Sequence, residues 1–199
     1  MLQLFIITSI CILSYFFGCY STARLLAKSF RHLNILKVGT GLADISNIYH
    51  NISKQLGFFA AILDITKIYI FLTLLKYLLL YTMFESASTV EILTFMFGFF
   101  MILGHCMPVT NSFKGGRGIF TYVGLMLVFI PYYMLAILGF ALLIFIFFKQ
   151  FRFIQYMIVL LPPIVSFFVA DKQLVILMSI TAVLMGILNF FVSKRYGEI

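Results

Sequence analysis

Residues 115–148 read GGRGIFTYVGLMLVFIPYYMLAILGFALLIFIFF, and the way this run divides sets the architecture of the chain. A helix that crosses a bilayer needs about 20 apolar residues. Proline lacks an amide hydrogen and its ring clashes with the preceding turn, so a helix entering Pro131 is broken or kinked there. With Tyr132 and Tyr133 following, Pro131 divides the run into one span over 115–131 and another over 132–148. The competing reading keeps a single long kinked helix. The same ruler, moved outward, gives spans at 3–26, 55–82, 90–109, 153–169 and 172–193. The expectation is an all-α polytopic membrane protein with about seven transmembrane helices, or six if the helix only kinks at Pro131.

Composition supports a chain solvated by lipid. Of 199 residues, 63% are hydrophobic and 10% charged, with mean hydropathy +1.13. A soluble domain carries about 25% charged residues. No internal repeat and no low-complexity linker interrupts the chain, so 1–199 reads as one domain. Fourteen Lys and Arg against six Asp and Glu leave a net charge of +8. The distribution of that charge argues against a nucleic-acid partner. Lys28, Arg31, Lys37 and Lys54, then Lys114 and Arg117, then Lys149 and Arg152, then Lys194 and Arg195 fall in alternate loops. Glu85, Glu91, Asp171 and Lys172 mark the other side. This is the positive-inside pattern, which places the N-terminus outside and the C-terminus in the cytoplasm.

The opening MLQLFIITSICILSYFFGC has no positive n-region and reads as a first span rather than a cleaved signal. Cys11, Cys19 and Cys106 show no paired spacing, so neither a disulfide framework nor a zinc site is indicated.

Three polar clusters face the basic side. GCYSTARLLAKSF, 18–30, sets Ser21, Arg24 and Lys28 on one helical face, as a snorkelling boundary would also do. LKVGTGLADISNIYHNISKQLG, 36–57, carries Gly39, Thr40 and Gly41 ahead of Asp44, Ser46 and Asn47. Glycines let backbone amides approach an anion, although such a loop is often only a turn. Asp64 and Lys67, three apart on the following span, are either a structural ion pair or a functional carboxylate with its partner. HCMPVTNSFKGGRGIF, 105–120, is the most specific. Lys114 and Arg117 stand among Gly115, Gly116 and Gly118 directly before a helix, where a glycine nest and a helix N-terminus together favour an oxyanion. His105 is a base near that site or a helix-end histidine.

The segment GHCMPVTNSFKGGRGIFTYVG resembles the G-H-x-x-P…F-K-G-G-K-G…T…G motif of the bacterial acyl-phosphate-dependent glycerol-3-phosphate acyltransferases, with Arg117 in place of a lysine. KVGTGLADISN is similar to that family's V-G-S-G-N…G-A-T-N, and Asp64 with Lys67 to its D-x-x-K-G. Leu42 stands at an asparagine, Asp44 at a glycine, Ile45 at an alanine, and Leu36 and His50 at arginines. Asn189 and Val192 stand where the family's last helix has histidine and asparagine, so that helix's contribution is expected to be missing.

The resemblance implies acyl transfer from acyl phosphate to glycerol 3-phosphate, giving lysophosphatidic acid, on the cytoplasmic face of a bacterial inner membrane. An acyl phosphate is already activated, so no metal or other cofactor is expected, and positioning with charge stabilisation would carry the rate. The implied catalytic residues are His105, Lys114 and Asp64. The implied substrate-binding residues are Gly39, Thr40, Gly41, Ser46, Asn47, Lys67, Gly115, Gly116, Arg117, Gly118 and Thr121. The departures leave two alternatives: a relative that acylates another acceptor, or a non-catalytic protein that binds lipid or a membrane partner.

Overall fold

A computed structural model of the chain describes residues 1–82 and 86–197; Glu85, counted above on the outer side, lies outside them. The described residues are helical, with no strand among them. In chain order the helices are α1 (Leu2–Cys19), α2 (Thr22–Arg31), α3 (Ile45–Asn51), α4 (Lys54–Thr82), α5 (Ala87–Cys106), α6 (Ile119–Leu127), α7 (Pro131–Phe148), α8 (Phe151–Val169) and α9 (Lys172–Arg195). The first expected span, 3–26, falls within the candidate span Leu2–Arg31 but contains a break, because the chain turns extended at Tyr20 and Ser21 and restarts as α2.

Among the described residues, six segments are long and apolar enough to cross a membrane by themselves. The expected span over 115–131 is different. It forms only α6, nine residues or about 14 Å of helix, against a hydrocarbon core of about 30 Å. Seven of its nine residues are buried among α4, α5, α7 and α8, so it faces protein rather than lipid. Pro131 does divide the run, since it opens α7 in the first turn, where its missing amide hydrogen costs nothing.

The chain nevertheless changes sides across α6. Arg195, at the end of α9, donates to the carbonyl of Phe113 in the loop after α5. At the opposite ends of these two helices, Gln173 Nε2 donates to Ser88 O at 2.9 Å. So α5 and α9 run parallel. The end of α7 and the start of α8 lie on the Phe113 side, because Phe145 and Phe151 pack on Tyr49 of α3, at 5.7 and 6.1 Å between ring centroids. The passage through α6 and residues 128–130 therefore carries the chain from the Phe113 end of the helix bundle to the other end, although α6 itself is only nine residues long.

The most extensive helix pairing among the described residues is α1 on α5. Lipid supplies no hydrophobic drive between helices, so close backbone approach at small residues takes its place. A Cβ on Gly18 would overlap the Met101 carbonyl, and one on Gly104 would overlap the carbonyl of Tyr15. Tyr15 Oη then donates to Met107 O at 2.7 Å and accepts from Val109 N at 3.1 Å, fixing where α5 ends and the glycine loop begins.

Orientation has a direct test. Thr40, Ser86 and Ser112 are all exposed, so reactivity of a cysteine there reports the side of the membrane rather than burial. In a variant lacking Cys11, Cys19 and Cys106, Ser86→Cys should react with an impermeant thiol reagent in intact cells. Thr40→Cys and Ser112→Cys should react only after permeabilisation. Labelling of Ser112→Cys from outside would reverse the orientation read from charge.

Candidate active site

The first glycine loop is held by one side chain. Gly39 and Gly41 adopt left-handed backbone at φ 56 and 72, which glycine reaches at least cost. Asn47 sits inside the curl. Its Nδ2 donates to Val38 O and Leu42 O at 2.9 Å each and reaches Ile35 O at 3.3 Å. Its Oδ1 accepts from Thr40 N at 3.2 Å and from Asn51 Nδ2 at 2.9 Å. The amide assigned to substrate in the sequence reading is thus occupied in shaping the loop. Thr40 is exposed at the tip, and Leu42 N reaches its Oγ1 at 3.4 Å. Leu42 and Ile45, which stand where the family carries asparagine and alanine, are buried in apolar packing.

The second glycine loop is stitched to the first. Gly116 N donates to His105 O at 3.1 Å, and Ala43 N donates to Gly115 O at 3.3 Å. Gly115 presses on the backbone of His105, where any Cβ would overlap the carbonyl. A Cβ on Gly116 would lie 2.7 Å from His105 Nε2 and 2.9 Å from Ala43 O. Gly118 caps α6 at φ 72, and Thr121 is buried in that helix's first turn. Lys114 does not share the enclosure: it is exposed, while the guanidinium of Arg117 is turned inward.

Between the loops lies a narrow polar cleft lined by Asp44, Ser46, Asp64, His105, Arg117 and Gln155, with Gly118 at its edge. Its volume of about 10 Å³ is near what one water requires. Asp44 serves two partners. It caps α3 by accepting from Asn47 N at 2.8 Å, and its other oxygen lies 3.6 Å from Arg117 Nε. The carboxylate that replaces the family's glycine and the arginine that replaces its lysine are therefore paired.

Asp64, only 1% exposed, accepts from Thr22 Oγ1 at 2.6 Å and pairs with Lys67 Nζ at 2.7 Å. Lys67 also donates to Tyr20 O at 2.7 Å, and it does not line the cleft. Both open readings of that pair meet here, since Lys67 is a structural partner while Asp64 faces the cleft. His105 is buried at the end of α5, and its Nδ1 has no hydrogen-bond partner among the described residues.

The last helix, although its motif is altered, reaches the second glycine loop. Asn189 Nδ2 donates to Arg117 O at 3.2 Å and to Met185 O at 2.9 Å. Tyr196 reaches the first loop, 3.6 Å from where a Cβ on Gly41 would sit. Burial pushes the Tyr196 phenol above its ordinary pKa; Arg195 opposes the shift and Asp44 adds to it. Gln155, Asn189 and Tyr196 are not among the expected site residues: where the family has a motif they depart from it, and they arrive from parts of the chain distant in sequence.

The cleft has an apolar neighbour. A groove of about 280 Å³ between α3, α4, α7 and α8 shares Ile45, Ile119, Phe120 and Gln155 with it. Tyr49, Phe145 and Phe151 also line the groove. Fold and site together define a polytopic helical membrane protein with a charged cleft opening on an apolar groove.

Residues 8–195 match the glycerol-3-phosphate acyltransferase family, and the chain belongs to it. A glycerol-3-phosphate acyltransferase of Streptococcus thermophilus (strain CNRZ 1066) is 28% identical over 136 residues, 68% of this chain and 60% of that relative. One from Ehrlichia canis (strain Jake) is 34% identical over 127 residues, 64% of this chain and 61% of the relative. The chain thus spans about 60% of the length of these curated relatives. The crystal structure of PlsY (YgiH), an integral membrane glycerol 3-phosphate acyltransferase, in its glycerol 3-phosphate form, superposes with a TM-score of 0.76 at 19% identity. It covers 95% of this chain and 88% of that one; at this identity the likeness establishes a shared fold.

Proposed function

We propose that this protein transfers an acyl group from acyl phosphate to glycerol 3-phosphate, on the cytoplasmic side of a bacterial inner membrane. The observation that carries the reading is the junction at Gln155, where the cleft holding Asp64, His105 and Arg117 meets an apolar groove. The acyl chain lies in that groove, which places the reacting carbonyl at the cleft. The acceptor hydroxyl attacks the carbonyl carbon, a new C–O ester bond forms, the C–O bond to phosphate breaks, and inorganic phosphate leaves. His105 is the group placed to take the hydroxyl proton or to hold it toward the departing phosphate. Arg117 and the amides of the second glycine loop offset the charge gathering on phosphate. Asp64, with Thr22 and Lys67, orients the floor beneath His105. The cleft holds about one water's volume, so it must widen for both substrates.

Asp44 favours one second reading, an acceptor less anionic than glycerol 3-phosphate, because its carboxylate occupies the cap where a phosphate would otherwise rest.

Purified protein in detergent, supplied with acyl phosphate and radiolabelled glycerol 3-phosphate, should yield lysophosphatidic acid. Because Arg117 faces the cleft and Lys114 does not, Arg117→Gln should cost about 10- to 100-fold in kcat/KM, the scale of one lost charge-assisted bond. Lys114→Gln should cost less, and Lys149→Gln nothing measurable. Equal losses from all three would mean a diffuse basic surface instead of a site.

A further inference from the structure

A second, larger cavity lies outside the cleft and shares no lining residue with it. It has a volume of about 710 Å³ and sits where the end of α1 meets α2, facing Asn34 and the turn at Thr110 and Asn111. Arg24, Lys28 and His32 all line it. Their four-residue spacing places them on one side of α2, and residue 32 is the helix's C-cap, held there by its N–H bond to Lys28 O at 3.1 Å. No carboxylate lines the cavity, and neither Arg24 nor Lys28 has an ion-pair partner among the described residues.

The opposite face of α2 explains why these cations are held in place. Thr22, Ala23, Leu26 and Ala27 are buried, with α4 the main packing partner. The cationic face is therefore fixed against a wall of protein. Snorkelling accounts for a lysine head reaching water, but not for a half-buried arginine and two further basic groups around one walled cavity. The remaining lining is mixed: Ser21, Asn34, Thr110 and Asn111 are polar, whereas Phe16, Leu25 and Leu33 form a large, exposed apolar rim, and Phe16 continues into the exposed apolar surface of α1.

We propose that this cavity binds the phosphate headgroup of an anionic phospholipid, with the lipid's chains running along α1. A phosphodiester satisfies the cations, and the apolar rim at the membrane boundary suits a ligand that carries its own hydrocarbon. Basic pockets between membrane helices take anionic headgroups for this reason. The proposal is independent of the acyl-transfer reading, since no residue of the cleft belongs to the cavity and the assay measures lipid retention, not catalysis.

The test is native mass spectrometry of the full chain in detergent, titrated with phosphatidylglycerol, phosphatidylcholine or phosphatidylglycerol plus inorganic phosphate. The wild type should retain one phosphatidylglycerol in preference to phosphatidylcholine, and millimolar phosphate should not displace it. Arg24→Gln with Lys28→Gln should weaken retention by roughly 25-fold, about fivefold for each cation. Lys54→Gln with Lys149→Gln, which removes equal charge elsewhere, should leave it unchanged. Lys28 is exposed, so Lys28→Glu tests the same point without threatening the fold and should weaken retention more than Lys28→Gln. Equal losses in the two double variants, or none in either, would overturn the site. Displacement by inorganic phosphate would show a free-anion pocket and overturn the lipid assignment.

Discussion

Gly116→Ala is expected to lower acyl transfer by about 100-fold or more while the protein still folds and elutes as the wild type does. The added methyl would lie 2.7 Å from His105 Nε2, 2.9 Å from Ala43 O and 3.0 Å from Asp44 Cβ. Ala43 O belongs to a loop already bonded to the second glycine loop through Ala43 N and Gly115 O, so the backbone has little freedom to yield. The methyl must push the imidazole from the cleft or part the two loops. Either displacement is near 1 Å, and a misplacement of that size costs about 100-fold in rate. Gly186→Ala is the control, because nothing lies within 4 Å of a Cβ there and its loss of activity should be undetectable. Gly116→Ala retaining a third of wild-type kcat would remove His105 and this loop from the reaction.

The second large effect is expected at Asp44. Asp44→Asn removes the charge and keeps the cap on α3, since asparagine caps a helix as well as aspartate does. The variant should therefore melt within a few degrees of the wild type. Its effect falls on Arg117, where the charge of the carboxylate 3.6 Å away no longer competes with a substrate phosphate. If glycerol 3-phosphate is the acceptor, its KM should fall by about tenfold, the scale of one charge-assisted bond gained in part. A KM that rises instead would mean that Asp44 reads the acceptor, and the less anionic acceptor would then be the correct one. Measuring kcat alongside separates the two, because easing that competition in ground-state binding moves KM more than kcat.

Much of this site could be read in the chain because its chemistry is local. Glycines at 39, 41, 115, 116 and 118, with basic residues beside them, announce tight backbone near an anion, and the structure brings both loops to one place. Asn47, implied as a ligand by the resemblance, bonds inward to its own loop, and a polar residue after glycines has both uses, binding outward or bonding inward. Sequence spacing is the same for both. Lys114 and Arg117 present a similar ambiguity, since only Gly115 and Gly116 separate the exposed cation from the enclosed one and no pattern says which faces the cleft.

Hydropathy was enough to indicate a polytopic helical membrane protein, because it follows from transferring single residues between water and lipid, and the break at Pro131 follows from that residue's own missing amide hydrogen. Those terms need no partner. The length of α6 could not follow from them, since a helix enclosed by α4, α5, α7 and α8 needs no 20-residue apolar run of its own. The Asp44–Arg117 pair and the bond from Asn189 to the Arg117 carbonyl are likewise matters of tertiary structure. They join residues 73 and 72 positions apart. At that separation the energy of a contact depends on distance in space, which packing decides and local sequence does not encode.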